Sequence, residues 1–411
     1  SKNFDDIVNT DESPDLIFER FKFNDPLYIL FSSGTTGVPK CIVHGVGGTL
    51  IQHKKEHNLH CDIKEGERVF YFSTCGWMMW NWLISGLASG ATLMLYDGSP
   101  VLKNNENILF DYADQEKFNI MGISAKFLDT CRKLELNPMN SHNLSSLRMM
   151  LSTGSVLNSD CFDYVYEKIK SSVCLSSISG GTDIVSCFVL GSNILPVYRG
   201  ELQTRGLGMS VEVWDDLGSP VNGRKGELVC TKTFPSKPVM FWDDKAMKKY
   251  SNSYFKRYPN IWHHGDYVKL LDNGGMVFYG RSDTTLNRGG VRIGTAEIYR
   301  QVEVLEEVFE SIVVEQNWDD DSRIILFVRL KEAIQLTDDL KEKIAKQIRE
   351  NTSPRHVPDL IIQVSDIPRT KSGKIVEIAV QKAIHGLPIE NKSALENPQV
   401  LDEYHHHKEL Q

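Results

Sequence analysis

Between residues 68 and 183 the chain keeps one rhythm, and that rhythm narrows the fold more than any other feature. Short apolar runs at 68–73, 91–96, 119–122, 147–151 and 173–177 alternate with helical stretches at 106–117, 124–134 and 159–168. Strands alternating with helices build an α/β layer fold, and open sheets of this kind bind ligands where a strand end turns into the next helix. From about Gly200 the rhythm breaks into short strands separated by Asp-Asp-Leu-Gly, Asn-Gly-Arg-Lys-Gly and Asp-Asn-Gly-Gly turns, the pattern of an antiparallel β-rich subdomain. Further on, helices at 295–304 and 338–349 with strands at 308–316, 324–329 and 359–364 outline a compact α+β unit, the second helix being amphipathic. A chain of 411 residues has room for both. The expected division is a large domain over 1–282, its β-rich part at about 200–282, and a smaller one over 283–411.

The turns hold the candidate chemistry. Tyr28-Ile-Leu-Phe-Ser-Ser-Gly-Thr-Thr-Gly-Val-Pro-Lys40 is a buried-looking strand running into glycines, hydroxyls and a lysine. Glycines let successive N–H groups converge on an anion while hydroxyls and the ammonium add donors, which makes a phosphate cradle. The pattern GxxxxGK[ST] is not met, because Pro39 precedes Lys40 and Cys41 follows it. Small-residue turns also end the strands at Ser152-Thr-Gly-Ser-Val156 and Ile178-Ser-Gly-Gly-Thr-Asp183, the latter setting a hydroxyl beside a carboxylate, a pairing suited to a phosphate oxygen and Mg²⁺. Trp262-His-His-Gly-Asp266 presents one carboxylate on a tight turn, and 279–297 mixes glycines and arginines with Asp283 before a helix. Ile367-Pro-Arg-Thr-Lys-Ser-Gly-Lys374 is a basic turn ahead of a helix at 375–384. Cys75-Gly-Trp-Met-Met-Trp-Asn-Trp82 is either core or the wall of an apolar pocket. The stretch 45–60 reads as a helix carrying Leu50, Ile51 and basic residues.

A net charge of −8 with pI near 5.9 argues against a general nucleic-acid surface, so basic groups that meet polyanions must be placed locally. Eight cysteines without a CxxC pair or zinc spacing read as free thiols in a reducing compartment, with the cytosol expected. No uncharged apolar run reaches the length of a membrane span.

In order and spacing these turns resemble the core motifs of the adenylate-forming superfamily of acyl-CoA synthetases, peptide-synthetase adenylation domains and luciferases, from about Tyr28 to Gly386. Within it the 75–82 cluster, Ile-Ser-Gly-Gly-Thr-Asp and Ala383-Ile-His-Gly-Leu-Pro are most similar to the acetoacetate-activating branch. The resemblance implies ATP, Mg²⁺ and coenzyme A as co-substrates or cofactors, acetoacetate as the acid, and a small mobile C-terminal domain. It also implies that the large domain is N-terminally incomplete here, since relatives carry a long segment before the phosphate loop. A monomer is favoured.

The roles it implies are as follows. Ser32, Ser33, Gly34, Thr35, Thr36, Gly37 and Lys40 would hold the β- and γ-phosphates, and Gly154, Ser155 and Val156 the adenine. Gly181 and Thr182 would meet the α-phosphate, Asp183 the metal, Asp266 the ribose, and Arg281 ribose and phosphate. Arg292 would touch the nucleotide phosphate. Lys374 would bridge the attacking carboxylate and the α-phosphate, Asp283 would be the hinge, and Arg349 would contact CoA. Trp77, Trp82 and Gly180 would wall the acid pocket. Two departures matter. Asp183 stands where relatives usually have Glu, and Gly180 where acetate-activating relatives have Trp. The missing indole is expected to leave room for a longer acid, so that Gly180→Trp would turn preference towards acetate. The alternatives are a synthetase for acetate, propionate or another short acid, and an inactive nucleotide-binding fragment.

Overall fold

The computed structural model describes residue 15 and residues 17–32, 40–288, 291–318, 321–371, 373–389, 392–405 and 407–410. The rhythm between 68 and 183 folds into a five-stranded parallel sheet, in the order Thr92–Met94, Arg68–Tyr71, Ile120–Ser124, Met149–Thr153, Cys174–Ser177. Successive strand side chains face opposite ways. Phe70, Met121, Met150 and Leu175 therefore meet Phe127, Leu128 and Cys131 on one face. Val69, Tyr71, Ile120, Met149 and Leu151 meet Met78, Met79, Trp82 and Leu83 on the other. Both faces are covered, which is why these strands read as unbroken apolar runs rather than alternating ones. Helix Ala125–Lys133 starts at Ser124, whose hydroxyl accepts from the Phe127 N–H at 3.1 Å. Helix Ser159–Tyr164 is preceded by Asn158, and no side chain caps it.

The β-rich region contains the antiparallel sheet Val211–Trp214, Lys225–Cys230, Trp262–Leu270, Met276–Arg281. Strands Pro26–Ser32 and Lys40–Gly45 pair antiparallel, with Ser32 opposite Lys40. The stretch between them, which holds Ser33, Gly34, Thr35, Thr36 and Gly37, lies outside the described residues.

After 286 the chain builds two cores of its own around strands Val308–Trp318, Asp321–Leu330 and Leu360–Gln363. Helices Thr295–Val302 and Asp338–Asn351 cover one face, while Glu377–Ile384 and Leu401–His405 cover the other. This unit is tied to the rest by polar contacts. Lys126 pairs with Glu310, which also takes Arg369 Nη2 at 2.5 Å. Lys133 donates to the Phe309 carbonyl, and Lys225 pairs with Glu297 at 2.5 Å. The turn with Lys374, five residues beyond Arg369, is thereby held over the ends of the parallel strands.

Candidate active site

A cleft of about 980 Å³ runs between the two units. Its walls bring together most of the residues singled out in the sequence: Ser32, Lys40, Gly154, Ser155, Val156, Gly180, Gly181, Thr182, Asp183, Asp266, Arg281, Asp283, Lys374 and Trp77. The separation along the chain is closed by strand order, because the adjacent strands Met149–Thr153 and Cys174–Ser177 run the same way and release their turns at the same edge.

Two acid–base pairs organise the cleft. Lys40 Nζ meets Asp183 Oδ1 at 2.9 Å, and the same oxygen takes the Tyr254 hydroxyl at 2.6 Å. Burial pushes the Asp183 carboxyl up, but Lys40, His264 and Tyr254 outweigh it and hold the group ionised, well below the usual carboxylate range. Thr182 is fixed through its backbone: its carbonyl lies 3.0 Å from His44 Nε2. Burial lowers the pKa of His44 to about 4, so that ring is neutral near pH 7.

The second pair follows from sheet register. Asp266 and Arg281 sit opposite one another on neighbouring strands, and Arg281 Nη1 donates to Asp266 Oδ1 at 3.0 Å and to the His264 carbonyl at 3.1 Å. Gly265 makes this close approach possible. Its φ is +82°, and a Cβ there would lie 2.8 Å from the guanidinium. Arg281 Nε is 3.6 Å from Asp283 Oδ1, which links the ribose-site candidate to the proposed hinge.

Lys374 extends from the C-terminal unit into this space, in contact with the cleft solvent. Enclosure by the surrounding protein lowers its pKa and Arg281 lowers it further, against the pull of Asp266 and Asp183. A cation from one unit thus faces two carboxylates and an arginine from the other. That is the disposition needed to hold an anion that bridges the two units.

Beyond Trp77 and Thr182 a smaller cavity of about 50 Å³ leads inward. Trp77, Gly180, Gly181, Thr182 and Lys374 line both spaces and form the mouth, whereas Trp82, Glu56, His60 and Ser186 line only the inner one. Trp82 donates its Nε1 to Glu56 at 2.9 Å. The tryptophan cluster is therefore core and pocket wall at once.

One expectation needs correction, and two candidate residues stand off the cleft in this arrangement of the units. Gly180 does not mark simple free space. A Cβ built there would lie 2.1 Å from the Ser186 carbonyl oxygen and 2.3 Å from Cys187 Cα, because strands Ser179–Gly181 and Ser186–Leu190 close over it. Gly180→Trp would first push these strands apart, so it is not a clean switch of acid preference. Arg292 does not line the cleft: its guanidinium pairs with Glu227 at 2.9 Å and lies over the Tyr267 ring at 4.4 Å. Arg349 stands exposed in the last turn of helix Asp338–Asn351 and is not among the cleft-lining residues.

The sequence reading missed Tyr254, Arg257, His264 and Glu56. His264 stood in the quoted Trp-His-His-Gly-Asp turn, where only the aspartate was assigned. Arg257, paired with Glu227 at 3.0 Å, and Tyr254, stacked on Trp262 at 3.8 Å, carry no local signal.

The profile of the AMP-binding enzyme family matches residues 4–236, and that of the AMP-binding enzyme C-terminal domain matches 303–374. Acetoacetyl-coenzyme A synthetase of Rhizobium meliloti (strain 1021) is 61% identical over 387 residues, covering 94% of this chain and 59% of that protein. The Gallus gallus acetoacetyl-CoA synthetase is 50% identical over 98% of this chain and 60% of its own length. Among solved structures, acetoacetyl-CoA synthetase from Streptomyces lividans superposes with a TM-score of 0.91 at 40% identity, over 97% of this chain and 62% of that one. The chain spans about 60% of the length of the curated relatives it matches. With family profiles on both sides of the cleft and a matching fold throughout, the chain belongs to the AMP-binding enzyme family.

Proposed function

We propose that this chain activates acetoacetate with ATP, giving acetoacetyl-AMP and pyrophosphate, and then passes the acyl group to the thiol of coenzyme A with release of AMP. The observation that carries this reading is Lys374 of the C-terminal unit sharing one cleft with Asp183, Asp266 and Arg281. The names of the similar proteins supply the acid.

In the first step a carboxylate oxygen attacks the α-phosphorus and the bond to pyrophosphate breaks. Both reactants are anions, so charge repulsion makes up much of the barrier, and fixed cations aimed at the developing charge lower it. Lys374 is assigned to the α-phosphate and the incoming carboxylate, Lys40 and the adjoining loop to the departing phosphates, and Asp266 with Arg281 to the ribose. Thr182 would donate to the α-phosphate. Gly154 to Val156 would face the adenine. Mg²⁺ suits Asp183: one oxygen is engaged by Lys40 and Tyr254, and a magnesium ion held by one carboxylate and substrate phosphates needs no protein cage. Such an ion would neutralise phosphate charge.

In the second step the CoA thiolate attacks the acyl carbon and AMP leaves. We place the division between the units at Asp283, where rotation would withdraw Lys374 and bring Arg349 towards the cleft. Eight cysteines without a disulfide suit a reducing compartment such as the cytosol, and no helix among the described residues is long and apolar enough to cross a membrane.

ATP–pyrophosphate exchange with acetoacetate, acetate and no acid tests the reading. Exchange strongest with acetoacetate supports it, exchange strongest with acetate reassigns the acid, and none with either refutes it. Lys374→Ala should lower acetoacetate-dependent exchange by about 10²-fold or more while thioester formation from supplied acetoacetyl-AMP persists. Equal loss of both steps would remove Lys374 from its role.

A further inference from the structure

The inner end of the small cavity is built by a helix with an unusual join. Helix Val46–Lys55 runs into a π-helical turn, Glu56–His60. Single π turns inside helices often stand at functional sites, because the extra residue re-aims the side chains around it. Here the turn points Glu56 and His60 at the cavity.

Glu56 is fully buried, and its carboxylate is pinned from several sides. Oε2 accepts from Trp82 Nε1 at 2.9 Å, and Oε1 accepts from Gln52 Nε2 at 3.0 Å and from the Ser186 hydroxyl. Lys55 Nζ lies 3.5 Å away but does not line the cavity, so the carboxylate stands between the ammonium and the enclosed space. Burial works against ionisation, yet Lys55 and the hydrogen bonds win and keep the carboxylate charged. Apart from Lys374 at the mouth, the other titratable groups on these walls are neutral. His60 lies 2.8 Å from the Gly191 carbonyl through Nδ1 and accepts from the Leu207 N–H through Nε2 at 3.1 Å, with its pKa lowered by burial. Burial also raises the pKa of the Cys61 and Cys187 thiols. The cavity therefore has a cation, Lys374, at its mouth and one fixed anion at its inner end.

We infer that Glu56 is the specificity-determining residue that turns away acids carrying a second carboxylate and admits their neutral methyl-ketone counterparts. This rests on the acid-activating reading above. Malonate and acetoacetate have nearly the same shape and differ by O⁻ against CH₃ at the far end, so a purely steric pocket discriminates poorly between them. A pinned carboxylate does so by repulsion, which at a few ångströms and an effective dielectric constant of about 20 corresponds to about a hundredfold or more in acid selection. The polarity of the cavity suits a molecule with its charge at one end only.

The test is ATP–pyrophosphate exchange on the full chain with acetoacetate, malonate and malonamate, the last being the neutral-ended isostere of the diacid. The wild-type chain should use or be inhibited by acetoacetate and malonamate and should ignore malonate. Glu56→Gln should raise the malonate-to-acetoacetate ratio of kcat/KM by about tenfold to a hundredfold. A ratio is unaffected by a general loss of activity, so a weakened variant still reports. Should the variant not fold, the wild-type comparison decides, because equal competition by malonate and malonamate would overturn the proposal. Acetoacetate-dependent exchange with no gain for malonate in Glu56→Gln would overturn it while leaving the acid-activating reading intact. No exchange with any of the three acids would overturn both.

Discussion

Two helices of similar length bury opposite kinds of residue. Helix Asp338–Asn351 hides Leu340, Ile344 and Ile348 against the C-terminal sheet and turns its charges outward. The helix that begins at Val46 and ends in the turn Glu56–His60 hides Gln52, His53, Glu56, His57 and His60, while Leu50 and Ile51 are 43% and 53% exposed. The first obeys the hydrophobic effect and its role is mechanical. The second spends its inner face on a polar network that borders the small inner cavity. Buried polar groups of this kind are costly unless paired, and here Gln52, Ser186, Trp82 and Lys55 all converge on Glu56, whereas the His57 ring nitrogens find no hydrogen-bond partner among the described residues. Burial in one helix therefore serves packing, and in the other it lines a cavity.

The sharpest way to separate the two is to damage the apolar helix. Ile344→Ala should cost about 2–5 kcal/mol, read as a lowered urea midpoint, with acid preference unchanged in the folded fraction. A change in preference would break the division of labour.

Next in size is a pH effect of buried, neutral histidines on the polar helix and beside it. His57 and His44 are held to pKa values of about 3 and 4, in each case mainly by burial, against an ordinary value of 6.5. The unfolded chain thus binds more protons than the folded one below pH 6.5. Their contribution is fully present above that value and is lost as pH falls towards 4, by roughly 3 kcal/mol for each ring. A urea series between pH 7 and 5 stays above the range in which Glu227, held at about 2 against burial by His263, Ser282 and Arg257, would be protonated. Stability should fall across that series in the wild type and fall less in His57→Phe; a flat wild-type profile would contradict the neutral assignment.

Gln52→Leu removes one donor from Glu56 and should cost about 1–3 kcal/mol in the same measurement. The smallest effect belongs to the outer face: Ile51→Ser should stay within about 0.5 kcal/mol. A loss comparable with that of Ile344→Ala would mean that Ile51 is covered in solution.

The contrast also explains what could be read from the residues beforehand. The amphipathic helix after 338 was legible because its periodicity and its burial agree. The helix from 46 was recognised as a helix, but Glu56 was not, since a glutamate among histidines and lysines looks solvated until the strand bearing Ser186 and the helix bearing Trp82 are folded against it. Gly180 was expected on the wall of a pocket and does line the small inner cavity, yet its meaning changed. A missing side chain reads as space in one dimension, whereas in the fold the neighbouring strand has moved in. Arg292 had the right residue type near the right turn, but Glu227, 65 residues away, claims it.

The linear order of residues determined the α/β rhythm, the β-rich and C-terminal units and the set of turns that could face a nucleotide, because strand period, helix period and turn chemistry act over a few neighbours. The tertiary structure alone decided which charges meet. Cross-strand register set Asp266 against Arg281, the packing of a seven-residue helix delivered Tyr254 to Asp183, and contacts around Glu310 carried Lys374 over the cleft. Electrostatic partners are chosen by distance in space, and distance in space follows only from the packed fold.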